Sequence, residues 1–384
     1  MRILVVIYEF PPIGGGGGHV ARDILRELVK RDHEIHVLTA RYKNQPRREN
    51  QEGIQVVRVS SARRSPYFAD LTTMTGFVLA GTWAGWRYIQ KWRPDIIHVH
   101  FAVPSGPVAW FLWRISGIPY VLTAHLGDVP KGVPEKTEKW FRWIYPFTPP
   151  IWRSAAQVVA VSEHTRQLAL ESYPVNIQVI PNGISLHGMT FADIQVNTPP
   201  VIIFAGRFVT QKNPLQVIET LAHLLETPWK CIMLGDGPLM ADVLREIRLK
   251  NMEDRFFFPG WLTPEEVFGW LRQSDILFMP SLSEGMPVVG VKGLAAGLAF
   301  VAAQVGGLCE LVKQGENGFL VTSTEPAGFT NAMKELLSNP PLLRKFRETS
   351  QVKAKSYDIK HVTESYEKIF YEVHQKSQSN FHRS

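Results

Sequence analysis

Short, nearly unbroken apolar runs recur along the chain, and the stretches between them carry apolar residues at helical spacing. A run that is apolar at every position suits a strand buried on both faces. Alternation of such strands with helices is the pattern of a parallel sheet built from strand-helix-strand units. In the first half the runs fall at residues 3–7, 34–39, 54–59, 95–99, 120–123, 157–161 and 178–180. They predict one Rossmann-like α/β domain over residues 1–190. Periodicity fades across 186–200, a stretch that ends in Thr198-Pro199-Pro200 and reads as a linker. The pattern restarts at 201–205, 230–234, 256–258, 275–279 and 299–302, predicting a second Rossmann-like domain over 191–356. The remaining residues, 357–384, are expected to form a helix through Val373 and a polar, frayed tail.

Composition narrows the class. A chain of 384 residues exceeds one ordinary core, and 45% hydrophobic with 20% charged residues is the balance of a globular protein. Cys231 and Cys309 stand far apart with no His cluster at ligand spacing, so neither a disulfide framework nor a zinc site is expected, and a reducing cytoplasm fits. The opening MRILVVIYEF has one basic residue and stops at Pro11-Pro12, which reads as a buried strand rather than a signal peptide. No run of about 18 uninterrupted apolar residues predicts a membrane span.

Charge changes the picture. Residues 1–190 hold 22 Lys and Arg against 14 Asp and Glu, whereas residues 191–384 hold 20 against 21. Eight of the eleven tryptophans also lie in the first half. Arg41, Lys43, Arg47, Arg48, Arg58, Arg63 and Arg64 cluster around two acids, Glu49 and Glu52. Residues 71–92 then follow as an apolar, Trp-rich helix carrying Arg87 and Lys91. Basic charge beside Trp suits a helix lying on an anionic membrane, and peripheral contact with its cytoplasmic, inner face is expected. The alternative is a helix packed on the sheet with its basic neighbours solvated.

Three loops carry candidate chemistry. Pro11-Pro12-Ile13 leads into Gly14, Gly15, Gly16, Gly17 and Gly18, then into a helix expected from about His19 to Lys30. Glycine lets backbone approach a ligand closely, so this reads as a binding loop, although not as a dinucleotide fingerprint. Gly206-Arg207 and Lys212 follow the first strand of the second domain. Two permanent cations on a strand-end loop suit a diphosphate, with Arg able to engage two oxygens. Glu284, with Gly285, Met286 and Pro287, follows another strand, where a carboxylate can accept bonds from neighbouring sugar hydroxyls. Gly235, Asp236 and Gly237 form a further strand-end turn. His125 closes a first-domain strand, where a ring nitrogen can meet a sugar hydroxyl.

In this order the segments resemble glycosyltransferase family 4, the retaining enzymes of the GT-B fold. The likeness also takes in Pro181-Asn182-Gly183, Gly306-Gly307 with Glu310, and Asn317-Gly318-Phe319-Leu320-Val321. It implies two Rossmann-like domains facing a cleft, acceptor on the first, donor on the second, and a C-terminal helix crossing back to the first. It also implies a metal-independent hexosyltransferase that needs no cofactor beyond its nucleoside-diphosphate sugar donor. The acceptor would be a glycan or lipid-linked hydroxyl in glycolipid, polysaccharide or envelope synthesis, and no nucleic-acid partner is expected. Arg207 and Lys212 would bind the diphosphate, Glu284 and His125 the sugar, and Leu308, Cys309 and Glu310 would lie near both. One position departs: the family usually reads E-x7-E, and the second acid is here Lys292. An ammonium can only donate, so ribose recognition must differ. A non-catalytic sugar-nucleotide-binding protein and a sugar-nucleotide epimerase share these features and stay open.

Overall fold

The computed structural model describes residues 1–65, 69–134, 141, 143–189, 191, 194–260, 262–322 and 326–381. The chain divides into two compact units, one formed by Met1–Ser185 with Asp358–Ser384, the other by Leu186–Tyr357.

In the first unit each predicted run forms a strand: β1 (Arg2–Val6), β2 (Glu34–Tyr42), β4 (Ile54–Arg63), β5 (Ile96–His100), β6 (Tyr120–Ala124), β7 (Gln157–Ala160) and β8 (Ile177–Val179). One strand is added, β3 (Arg48–Gln51), giving the sheet order β3-β4-β2-β1-β5-β6-β7-β8. All neighbours are parallel except β3 with β4. The sequence RENQ of β3 carries no apolar signal because this is an edge strand, where charged and polar side chains are tolerated. Helices α1 (Gly16–Val29), α2 (Leu71–Lys91), α3 (Ser105–Ser116), α4 (Pro149–Ser154) and α5 (Glu163–Leu170) connect the strands.

The glycine run does more than bend the chain, since α1 begins at Gly16 rather than near His19. A Cβ at Gly18 would stand 2.6 Å from the Glu9 carbonyl oxygen, and one at Gly17 would stand 2.9 Å from Phe101 Cζ. At Gly17 and Gly18 the first turn of the helix therefore passes too close to its neighbours for a side chain.

Two of the basic residues grouped by sequence are not surface charges. Arg58 is buried, its guanidinium bonded to Glu49 at 2.6 Å and to the Pro11 carbonyl at 3.4 Å. Arg63 is buried as well, reaching Glu9 at 3.2 Å, the Tyr8 carbonyl at 3.3 Å and the Ser65 carbonyl at 2.9 Å. Both sit on β4, Arg58 in a set buried at alternate positions 54, 56 and 58 and Arg63 in a second set at 59, 61 and 63, so position in the strand decides exposure where the charge count cannot. Lys43, Arg47, Arg48 and Arg64 are exposed.

In the second unit β9 (Val201–Ala205), β10 (Lys230–Leu234), β11 (Phe256–Gly260), β12 (Ile276–Met279), β13 (Ala299–Ala303) and β14 (Gly318–Val321) form a parallel sheet in the order β11-β10-β9-β12-β13-β14. Counted from β9, this is the doubly wound order 3-2-1-4-5-6. Its helices are α6 (Pro214–Ala222), α7 (Met240–Leu249), α8 (Pro264–Arg272), α9 (Val288–Ala295), α10 (Leu308–Leu311), α11 (Pro326–Ser338) and α12 (Pro340–Ala354). Asn317-Gly318 is structural. The Asn317 amide nitrogen donates to the Leu311 carbonyl and to Ser350 Oγ, and a Cβ on Gly318 would meet the Phe300 carbonyl oxygen at 2.5 Å.

The final helix, α13 (Ile359–Phe381), belongs to the first unit and packs on α1. Arg31 donates to Glu367 at 2.9 Å and Glu364 at 3.1 Å, and His33 Nε2 lies 2.8 Å from Glu367. Its start is seated on Gly183, where a Cβ would fall 2.9 Å from Ile359 Cδ1. The helix runs past Val373, with a His374–Gln378 side-chain bond of 2.8 Å in its polar last turns, and residues 382–384 lie outside those described.

Candidate functional site

In a doubly wound sheet, ligands bind beyond the carboxyl ends of the strands where the winding reverses. In the second unit that point lies between β9 and β12, and the two loops singled out by charge are the ones that follow these strands. After β9 the chain runs through Gly206 and Arg207 to a single tight turn at Thr210–Lys212. Asn213 then adopts φ 50°, which re-aims the chain into Pro214, the first residue of α6. The Arg207 guanidinium is half-buried and has no hydrogen bond or ion pair among the described residues. The Lys212 stem passes over Gly206, 3.6 Å from where a Cβ would be, and its Nζ donates to Glu284 Oε1 at 2.5 Å.

Glu284 is buried, and Ser281 Oγ donates to the same carboxylate oxygen at 2.7 Å. Among the described residues Oε2 makes no hydrogen bond. The two loops are clasped a second time: Leu282 N–H donates to the Gln211 carbonyl at 2.8 Å and Gln211 Nε2 to the Ser283 carbonyl at 3.0 Å. Sequence reasoning assigned Lys212 to phosphate and Glu284 to sugar without seeing that they touch. A contact 72 residues apart leaves no local signal.

The smaller motifs brace this pair of loops. Gly235 has φ 125°, and a Cβ there would sit 2.1 Å from the Gly206 carbonyl oxygen. The Asp236 carbonyl accepts from Phe208 N–H at 2.9 Å, while its side chain accepts from Gly237 N–H at 2.6 Å. The turn at 235–237 therefore lies against the Arg207 loop. On the other side, a Cβ on Gly307 would overlap the Gly285 carbonyl oxygen at 1.6 Å, and Gly307 N–H donates to the Glu284 carbonyl at 3.1 Å. Met286 and Pro287 are buried and lead into α9. Leu308 is buried, Glu310 half-buried and Cys309 exposed, its thiol pKa raised by partial burial and by the Glu310 charge. The N–H groups of Leu308 and Cys309 are bonded to the carbonyls of Val305 and Gly306. Lys292, on α9, donates to the Pro264 carbonyl at 3.2 Å.

In the first unit the reversal lies between β1 and β5. The glycine loop follows β1 and is held by Glu9, whose Oε2 accepts from Gly15 N–H at 3.3 Å. His98 lies in the middle of β5 and His100 ends it, and His125 follows β6, its ring stacked on Phe101 with centroids 4.2 Å apart. A Cβ on Gly17 would stand 3.3 Å from His125 Cε1, so the glycine lets the loop run close against the ring. Burial lowers the His125 pKa to about 4 and that of His98 to about 3, and holds His100 well below its ordinary value. These rings are neutral near pH 7. His98 Nε2 bonds Thr123 Oγ1 at 2.9 Å, and that hydroxyl in turn meets Tyr366 on α13 at 3.2 Å. Neither His100 nitrogen nor His125 Nε2 has a hydrogen-bond partner among the described residues. The sequence reading missed His98 and His100; the alternation His98-Val99-His100 at a strand end was their only trace.

Two family models match the chain: "Glycosyl transferase 4-like domain" over residues 15–183 and "Glycosyl transferases group 1" over residues 191–353. The 2-deoxystreptamine glucosyltransferase of Streptomyces kanamyceticus is 27% identical over 366 residues, 88% of this chain and 93% of that protein. The UDP-Gal:alpha-D-GlcNAc-diphosphoundecaprenol alpha-1,3-galactosyltransferase of Escherichia coli is 25% identical, covering 65% of this chain and 67% of the relative. Among solved structures, Anabaena HepE in complex with UDP and glucose superposes with a TM-score of 0.76 at 20% identity, covering 97% of this chain and 100% of the other. The chain belongs to glycosyltransferase family 4 and has the GT-B fold. It is a nucleotide-sugar-dependent glycosyltransferase.

Proposed function

We propose that this chain moves a hexosyl group from a uridine-diphosphate sugar to a hydroxyl of a lipid-linked or other envelope-glycan acceptor, with retention and at the cytoplasmic face of a membrane. The observation that carries the donor side is the Arg207 guanidinium, without a hydrogen bond or ion pair among the described residues, on the same loop as Lys212 at the winding reversal. Negative charge grows on the departing diphosphate as the glycosidic bond breaks. Two cations fixed on short loops stabilise that charge without reorganising, and no metal is part of the reading. Lys212 can do this while bonded to Glu284, because an ammonium has three donors and the carboxylate uses one. Glu284 Oε2 remains to accept from a sugar hydroxyl. In the first unit, the glycine loop and the neutral His125 are the groups we assign to the acceptor side and to sugar hydroxyls. The uridine and the lipid-linked acceptor are supported by what the Escherichia coli relative's name states, and uridine also by the ligand in HepE.

Thermal shift against a panel of nucleotide sugars tests the donor, since a ligand at 100 times its Kd stabilises by roughly 2.7 kcal/mol. Turnover of the best donor with and without polyprenyl-diphosphate sugars, read by the anomeric coupling of the product, tests transfer and retention. Stabilisation by guanosine or adenosine sugars alone would remove the uridine assignment, and an inverted product would remove retention.

A further inference from the structure

Helix α2 has two faces of different kinds. Its inner stripe, Thr73, Phe77, Gly81, Gly85 and Ile89, is buried, and a Cβ on Gly85 would stand 2.9 Å from Leu112 Cδ1 of α3. The glycines seat the helix close on α3 and leave the opposite stripe outward. That stripe is not polar: Leu79 is 69% exposed, Trp83 59% and Trp86 46%, and Phe111 and Ile115 of α3 extend it. Val78, Leu79, Thr82, Trp83, Trp86 and Phe111 line a shallow groove of about 260 Å³. Contiguous exposed apolar surface of this kind marks a binding face.

The charge beside it selects the partner. Neither α2 nor α3 contains an Asp or Glu, while Arg87, Lys91 and Arg114 are exposed on them. The Arg87 guanidinium lies over the Trp83 ring at 4.9 Å, so cation and indole sit at one level. Indole rings prefer the headgroup layer of a bilayer and basic side chains prefer anionic phosphates beside it. Among the described residues no helix is long and apolar enough to cross a membrane. We infer that the outer face of α2 and α3 inserts shallowly into an anionic lipid bilayer, with Leu79, Trp83, Trp86 and Phe111 in contact with lipid and Arg87, Lys91 and Arg114 on headgroup phosphate. This rests on the reading above that the acceptor is membrane-borne, and it locates the contact on α2 and α3 rather than on the basic segment at 41–64, where Arg58 and Arg63 are used internally.

The test is co-sedimentation of the full chain with vesicles of phosphatidylcholine alone or with about a third phosphatidylglycerol, at low and high salt. The wild-type protein should pellet with anionic vesicles only, and less as salt rises. W83S/W86S should lower the partition by about tenfold or more. R87Q/K91Q/R114Q should lower it similarly at low salt and flatten its salt dependence. Unchanged thermal shifts with UDP show that the variants are folded. Wild type that stays in solution with anionic vesicles at low salt overturns the inference, as does a Trp variant that binds like wild type. A wild-type dimer that W83S/W86S converts to monomer also overturns it, by making the face an interface between copies. Binding needs no acceptor and donor turnover needs no vesicle, so a wrong acceptor and a wrong docking face give different failures.

Discussion

Lys212 Nζ and Glu284 Oε1 lie 2.5 Å apart, a contact that joins the loop after β9 to the loop after β12. Removing the lysine leaves a buried carboxylate that, among the described residues, keeps a side-chain hydrogen bond from Ser281 alone. Lys212→Ala should therefore lose about 1–3 kcal/mol of stability as well as at least about a hundredfold in turnover. Lys212→Ala with Glu284→Gln should regain most of the stability and none of the turnover. Urea titration of the two variants decides this. A double variant no more stable than the single one would show that the pair does not hold the loops.

Arg207 gives the opposite pattern because its guanidinium makes no hydrogen bond or ion pair among the described residues. Arg207→Ala should unfold within about 0.5 kcal/mol of wild type. It should nonetheless cut turnover by about a hundredfold or more, on the order of 3 kcal/mol of charge stabilisation. Near-normal rates would remove the diphosphate assignment.

The family resemblance implies a ribose-binding acid at the position of Lys292, whose ammonium reaches the Pro264 carbonyl at 3.2 Å. Restoring the acid by Lys292→Glu should change nucleotide affinity or donor preference measurably. Donor kinetics identical to wild type would make Lys292 a helix brace and nothing more.

The sheets were legible because parallel strands buried on both faces leave solid apolar runs, which local reading detects. Arg207, Lys212 and Glu284 stood out as candidates because they fall on strand-end loops, where ligands bind in this topology. What stayed hidden depends on contacts distant in sequence. Gly307 is required by the Gly285 carbonyl, Gly183 by Ile359 and Arg63 by Glu9. The strand β3 was hidden for another reason, since an edge strand has no need of apolar residues.

Asp275 is wholly buried and satisfies four groups: Asn197 N–H at 3.2 Å, the Asn197 amide at 2.9 Å, Val201 N–H at 2.7 Å and the Arg347 guanidinium. It pins the segment entering the second sheet. Burial lowers the Arg347 pKa, against the pull of the Asp275 charge. Asp275→Asn would strand that cation, so a loss of about 3–5 kcal/mol is expected, with the UDP-induced shift retained in whatever folds. A loss under about 1 kcal/mol in urea titration would show that water or backbone replaces the carboxylate.

The buried histidines of the first unit set its acid limit. The folded pKa is about 3 for His98 and about 4 for His125, and well below 6.5 for His100, each lowered first by burial. Above pH 6.5 both folded and unfolded rings are neutral and nothing is lost. As pH falls from 6.5 toward 4 the unfolded chain takes up protons that the folded one excludes, so stability falls by about 1.4 kcal/mol per pH unit for each ring. His100 offers a clean deletion, because neither of its nitrogens is hydrogen-bonded among the described residues. His100→Leu should be close to neutral at pH 7.5 and should reduce the acid slope by one proton. Urea titrations at pH 7.5, 6 and 5 measure both quantities. A slope equal to that of wild type would mean that His100 is protonated in the folded protein as readily as in the unfolded chain, and that the strand ends are wetter than their burial implies.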